Sequence, residues 1–216
     1  MKIQQSTISL PSKWGLPTTP LLETRGPQRS QLMVVFPGSN YMSDAPLLRY
    51  ARRVGLEKGW DVLSLEYGFQ ANRAELRESD MATLVEEAMA AVASLSNQYG
   101  TMAFVSKSLG TVVASHVQKA LSMSQPMRDH IFLTPLVSAT ATMRQTDHAL
   151  VVVGSADPYF GPQETAAIEN LDNVELHIVP QANHALEVDS YIESLRILHN
   201  VTQWCAEFLG QCQKSD

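Results

Sequence analysis

Cysteine is scarce in this chain, charge is thin, and no apolar run is long. Only two cysteines occur in 216 residues. Cys205 and Cys212 stand seven apart in a stretch of helical pattern, which separates them by about 10 Å along the axis. That is beyond disulfide reach within one helix. No turn, glycine or basic partner surrounds either one, so neither has the setting of a catalytic thiol. Two reduced thiols are expected, at least one of them in the core. Charged residues make up 18% of the chain and the formal net charge is −6. The basic face that a general nucleic-acid binder needs is therefore missing, and no nucleic-acid partner is expected. No run reaches the roughly 18 apolar residues of a membrane span. Met1 to Ser6 contains no apolar signal core. A cytoplasmic protein without a membrane partner is the expectation. Internal repeats, low-complexity stretches and linker-like segments are also lacking, so residues 1–216 read as a single domain. None of the six histidines has metal-ligand spacing with a partner, and neither a catalytic metal nor a cofactor is expected.

What the chain does have is a 44% hydrophobic content, enough for a large core, arranged with two alternating periods. Residues 1–31 are broken by Pro11, Pro17, Pro20 and Gly26 into extended pieces. They suit an antiparallel edge, with one strand in Ile3 to Leu10 and another around Leu21 to Thr24. Leu32 to Phe36 is a continuous apolar run, as in a strand buried on both faces, and Pro37-Gly38 ends it. A helix follows, capped by Ser43 or Asp44 with Pro46 in its first turn. Asp61 to Phe69 is the next strand. Ser79 or Asp80 opens a long helix that Gly100 closes. Thr101 to Val105 is a short apolar strand, and a helix spans Leu109 to Leu121. Further strands fall at His130 to Leu136, Ala149 to Gly154 and Val174 to Val179. A short helix starts at Pro162, and a final one runs from about Ser190 to Leu209. Ser190 and Glu193 are spaced as a capping box, with Gly210 as the stop. Strands alternating with helices from residue 32 onward predict an α/β fold: a three-layer α/β/α sandwich around a mostly parallel sheet. Ligands of such sheets bind beyond the carboxyl ends of the strands.

Four strand ends carry suitable chemistry. Between the strand at 101–107 and the helix at 109 lies Ser108, with small residues two before (Ser106) and two after (Gly110). A serine on such a turn is strained, and its neighbours must be small for strand and helix to pass closely. A serine hydroxyl at neutral pH needs a base within hydrogen-bond reach, and the base needs an orienting carboxylate. Gly154-Ser155-Ala156-Asp157-Pro158 places Asp157 just past one strand, and Gln181-Ala182-Asn183-His184 places His184 past another. Pro37-Gly38-Ser39-Asn40 is a tight turn that leaves backbone N–H groups free. The other histidines suit the base role less well. His177 lies in a strand, His116 and His199 lie in helices, and His130 and His148 precede strands at the wrong edge.

Together, Phe-Pro-Gly-Ser-Asn at 36–40, Ser-Lys-Ser-Leu-Gly at 106–110, Gly-Ser-Ala-Asp-Pro at 154–158 and Asn-His-Ala-Leu-Glu at 183–187 resemble the α/β-hydrolase superfamily. The resemblance covers roughly residues 32–209. It implies Ser108 as nucleophile, His184 as general base and Asp157 as its orienter. It also implies an oxyanion hole from the backbone N–H of Leu109 and of Ser39, with Asn40 as the alternative donor. The chain departs from the usual motifs at two places. Ser106 stands where the elbow has its first glycine, and Pro37-Gly38 where many members have His-Gly. Lys107 is a candidate for attracting an anionic substrate group, and Tyr159 and Phe160 are candidates for lining the pocket.

Many enzymes of this superfamily carry a lid between the strand after the elbow helix and the strand bearing the acid. Ser138 to His148 has eleven residues, enough for one short helix and no cap domain. The resemblance is therefore to compact, lidless members of dienelactone-hydrolase type. An open, shallow site of this kind does not close over a long acyl chain. The expected activity is hydrolysis of a small carboxylic ester or thioester through an acyl-enzyme. The alternative is a catalytically silent member that uses the fold as a binding or scaffold module.

Overall fold

A computed structural model describes residues 2–26, 30–121 and 127–212. The parts of the expected N-terminal edge at 1 and 27–29 lie outside the described residues. Eight strands form one sheet: β1 (Gln4–Thr7), β2 (Leu21–Thr24), β3 (Gln31–Phe36), β4 (Asp61–Ser64), β5 (Thr101–Ser108), β6 (Met127–Pro135), β7 (His148–Gly154) and β8 (Val174–Val179). Their order is β1-β2-β4-β3-β5-β6-β7-β8. β1 pairs with β2 and β2 with β4 in antiparallel fashion, and every other neighbouring pair is parallel. The chain leaves β3 toward β4 on one side and then returns to β5 on the other. This reversal opens a crevice at the carboxyl ends of β3 and β5, where open α/β sheets bind ligands.

The two-residue period of the strands splits the core between the sheet's faces. Met33 and Val35 of β3, with Ala103 and Val105 of β5, pack on α1 (Pro46–Glu57) and α7 (Tyr191–Cys212). Leu32, Val34 and Phe36, with Met102 and Phe104, pack on α3 (Met81–Ser96) and α4 (Leu109–Leu121). The rings of Phe36 and Phe104 meet at 4.7 Å between centroids. A third cluster, around Phe132, Val151, Val153 and Ile168, fills the space beneath two short helices, α5 (Thr140–Met143) and α6 (Pro162–Ala166). Such strands carry no alternation because both faces are buried, which is why Leu32 to Phe36 reads as an unbroken apolar run.

Several local expectations are corrected. Helix α1 begins at Pro46 with Ala45 as its N-cap, and no side chain caps it. The Ser43 hydroxyl instead donates to the Leu65 carbonyl at 3.0 Å, tying the loop back to the end of β4. β4 stops at Ser64, and the remainder of the expected strand turns into a one-turn helix, α2 (Gly68–Ala71). Gly210 does not end α7, which continues to Cys212. Its φ is not positive, and a glycine within a helix costs only about 1 kcal/mol relative to alanine. At the start of α7, Ser190 Oγ accepts from Glu193 N–H at 3.4 Å. His130 lies inside β6, fully buried, rather than ahead of it. One feature of the edge was not legible in the sequence. Glu23 of β2 is completely buried and pairs with Arg52 of α1 at 3.0 Å, fastening the antiparallel edge to the helical layer.

Among the described residues, no helix is long and apolar enough to cross a membrane.

Candidate active site

The turn from β5 into α4 holds Ser108 at φ 52°. A non-glycine residue in this left-handed region is strained and needs its surroundings to hold it there. Three neighbours do so. Thr111 Oγ1 donates to the Ser108 carbonyl at 2.7 Å and accepts from the Leu136 N–H at 3.2 Å. Gly110 lets the start of α4 press on the end of β3, since a Cβ there would sit 2.3 Å from the Phe36 carbonyl oxygen. Ser106, in the usual glycine position, turns its side chain into the protein. Its Oγ lies 2.7 Å from His130 Nε2. Nδ1 of the same ring meets Gln118 Oε1 at 3.1 Å, and Gln118 Nε2 donates to Thr146 Oγ1 at 3.0 Å. Burial holds the His130 pKa well below the ordinary imidazole range. A neutral ring donates from Nδ1 to the Gln118 carbonyl and accepts at Nε2 from the Ser106 hydroxyl.

On the solvent side of the elbow, Ser108 Oγ lies 2.8 Å from His184 Nε2. His184 Nδ1 lies 2.8 Å from Asp157 Oδ2. The carboxylate fixes the tautomer: Nδ1–H donates to Asp157, which leaves Nε2 to accept the serine proton. The Asp157 side chain is fully buried, and its second oxygen accepts from the Tyr159 N–H at 2.9 Å. The loop bearing His184 is tightly built. Asn183 Oδ1 accepts from the N–H groups of Ala185 (2.8 Å) and Glu187 (3.2 Å). Gly154 allows the end of β7 to touch this loop, because a Cβ there would be 2.0 Å from the Ala182 carbonyl oxygen.

The turn after β3 closes by a hydrogen bond from Gly38 N–H to the Tyr41 carbonyl at 2.9 Å, leaving Ser39 and Asn40 as its middle residues. A Cβ at Gly38 would lie 3.5 Å from the Ser108 Cβ, so turn and elbow sit side by side. Gln70 of α2 clamps the turn from behind. Its Nε2 donates to the carbonyls of Gly38 (2.8 Å) and Ser39 (3.0 Å), which directs those carbonyls away from the cleft. Leu109 opens α4, where first-turn N–H groups have no intrahelical acceptor.

These groups border a cleft of about 510 Å³ that includes Ser39, Asn40, Lys107, Ser108, Leu109, Tyr159 and His184. Tyr41, Leu76 and Leu136 complete apolar walls. The Tyr159 ring is 55% exposed and stands edge-on to the His184 imidazole, 4.7 Å between centroids. Phe160 corrects an expectation. It is 1% exposed, packs in the cluster beneath α6 and does not border the cleft. Pro158 and Tyr159 face outward, while Asp157 and Phe160 on either side of them are buried. Lys107 borders the cleft but is 2% exposed. Its ammonium bonds within the protein, to Thr134 Oγ1 and the His184 carbonyl, both at 3.0 Å. Gln70, Thr111, Thr134 and the Ser106–His130 contact escaped the sequence reading. All depend on which strands become neighbours. Among the described residues no group of three or more His, Cys, Asp or Glu is placed to hold a metal ion. Burial raises the thiol pKa of Cys205 to about 12, so it stays protonated.

No protein-family model matches the chain, and no curated protein matches its sequence. Solved structures do match. A dienelactone hydrolase from Anabaena variabilis superposes with a TM-score of 0.72 at 18% identity, covering 96% of this chain and 97% of that one. An esterase from Pyrococcus furiosus gives 0.66 at 12% identity, over 96% and 92%. An α/β serine hydrolase without a lid from Xanthomonas campestris gives 0.63 at 17% identity, over 93% and 95%. The chain has the α/β-hydrolase fold, in the lidless form. The likeness at these identities is one of fold.

Proposed function

We propose that this protein is a serine hydrolase acting on a small carboxylic ester or thioester. The observation that carries the reading is the chain of two 2.8 Å contacts from Ser108 Oγ through His184 to Asp157. It begins at a serine with positive φ and opens onto a cleft. In this reading Ser108 attacks the substrate carbonyl while His184 Nε2 takes its proton. Asp157 stabilises the imidazolium that results. The N–H groups of Leu109 and Ser39 receive the oxyanion of the tetrahedral intermediate, with Asn40 as the neighbouring donor. His184 then protonates the leaving group, the acyl-enzyme forms, and a water activated by the same imidazole releases the acid.

The cleft supports a neutral, apolar acyl group. Leucine and tyrosine side chains make its walls, and its one ammonium is bonded inside the protein. The short segment between β6 and β7 supports short acyl chains, since nothing closes over the cleft from that side. Labelling with a fluorophosphonate, together with a series of p-nitrophenyl esters and acyl thioesters of graded length, tests the proposal. Wild type is expected to take one label that Ser108→Ala abolishes, and to hydrolyse acetyl and butyryl esters faster than long-chain ones. Folded wild type that takes no label would identify a catalytically silent binding module. Preference for long chains would overturn the short-acyl assignment.

A further inference from the structure

We propose that Lys107 is a positioning residue whose buried ammonium joins the His184 loop to the oxyanion turn behind the Ser108–His184 pair. The inference rests on the serine-hydrolase reading and assigns that site a part outside its nucleophile, base and acid. Lys107 is the residue before Ser108, and its stem runs on the sheet face covered by α1 and α7. Its Nζ donates to the His184 carbonyl and to Thr134 Oγ1, both at 3.0 Å. It also lies 4.6 Å from the centroid of the Tyr41 ring. An ammonium has three donors, and these partners face all of them. Tyr41 in turn accepts the Gly38 N–H that closes the oxyanion turn. One buried ammonium therefore contacts the loop of the base, the turn of the oxyanion donors and the end of β6.

Two observations set this lysine apart from an ordinary sheet residue. Its ammonium meets a carbonyl, a hydroxyl and a ring face rather than a carboxylate, although it is almost fully buried. An unpaired buried charge is costly, and retaining it calls for a compensating role. Its partner Thr134 is also strained. The β5–β6 register skips at this point, pairing Lys107 with Leu133 and Ser108 with Pro135. Thr134 bulges between them at φ 42°. A β-branched residue at positive φ is a true outlier, and here the bulge aims its hydroxyl at the ammonium.

The charged and titratable groups around Lys107 come from three loops: Tyr41 after β3, Asp157 after β7, and His184 with Glu187 after β8. Desolvation lowers the lysine pKa to about 8, while Asp157 and Glu187 pull it back up. In its charged form the ammonium makes charge-assisted hydrogen bonds to the His184 carbonyl and the Thr134 hydroxyl. Above about pH 8 the charge is lost, and the support goes with it.

The test compares wild type with Lys107→Met, which keeps the stem length and removes the charge and donors. For an ester that wild type hydrolyses, kcat is expected to fall by roughly ten- to a hundredfold with KM little changed, as when a reacting group is slightly misplaced. Lys107→Arg, which returns a charged donor to the site, should recover part of the lost kcat. A loss of packing alone would lower thermal stability and leave kcat of the folded fraction unchanged. Wild type supplies a second measurement that does not depend on the variant's folding. Its fluorophosphonate labelling rate should decline above about pH 8. An unchanged kcat in folded Lys107→Met, or wild-type labelling that stays level to high pH, overturns the role of Lys107 and leaves the hydrolase reading standing. Folded wild type that takes no label at any pH overturns both.

Discussion

The Ser106 hydroxyl donates across the β5–β6 pair to Nε2 of the buried His130, 2.7 Å away. This contact explains how the strand–helix turn at Ser108 takes a serine where a glycine is usual. The position needs a side chain that fits between strand and helix, and serine both fits and satisfies an imidazole that water does not reach. Ser106→Ala leaves that nitrogen without a donor, at a cost of about 1–3 kcal/mol. Urea unfolding should show the loss, while ester hydrolysis by the folded fraction persists. An unchanged unfolding midpoint would mean that the contact carries no net energy.

His130 also gives the protein a specific acid sensitivity. Its folded-state pKa lies well below the ordinary 6.5. As pH falls below 6.5 the unfolded chain takes up a proton that the native ring refuses. Stability from this group is complete above that value and declines below it, by about 1.4 kcal/mol per pH unit for one proton. Chemical denaturation at pH 7 and pH 5 should therefore show a larger drop for wild type than for His130→Leu. Equal drops would contradict the assignment.

Asp157→Asn keeps the shape of the acid but loses the acceptor that fixes the His184 tautomer. Hydrolysis of an activated ester should fall by about 10⁴-fold with the fold intact. The Tyr159 N–H still finds the amide oxygen, so thermal stability should change much less than activity. A variant within tenfold of wild type would place the orienting role elsewhere.

Gln70 holds the turn after β3 through two carbonyls, at 2.8 and 3.0 Å. Gln70→Ala frees the turn to rotate its amides. We expect a kcat about ten- to a hundredfold lower, with KM nearly constant, as for loosened oxyanion donors. A change confined to KM would assign Gln70 to ground-state substrate binding instead.

Two glycine-to-alanine changes should diverge sharply. In Gly154→Ala the new methyl meets the Ala182 carbonyl oxygen at 2.0 Å, where backbone must move. The cost is expected to exceed about 3 kcal/mol. In Gly210→Ala the nearest atom is the end of the Lys58 side chain at 3.3 Å, which can swing aside. This helical site should gain about 0.5–1 kcal/mol. Thermal melts of the two variants side by side decide the point.

The alternation of strand and helix was legible because each element carries its own period. Leu32 to Phe36 could be read as a doubly buried strand, and Ser106 to Gly110 as a strand–turn–helix, from composition and spacing alone. Boundaries read less well. The stretch after Ser64 looked extended by pattern, yet it folds into the short helix that carries Gln70. Phe160 looked like a pocket residue because it follows Asp157, although the direction of its side chain is set by packing under α6.

By itself the sequence determined which chemical groups stand at the ends of which strands: Ser108, Asp157 and His184, with a free-amide turn at Gly38 to Asn40. Those assignments depend on local periodicity and turn chemistry, which neighbouring residues specify. The tertiary structure decided everything that depends on strand order and register. It paired β5 with β6, so that Ser106 met His130 and Thr134 met Lys107. It brought three loops from distant parts of the chain to one ammonium, and it set Gln70 against the turn after β3. Contacts between segments far apart in sequence leave no periodic trace in either segment, and only the assembled sheet brings them together.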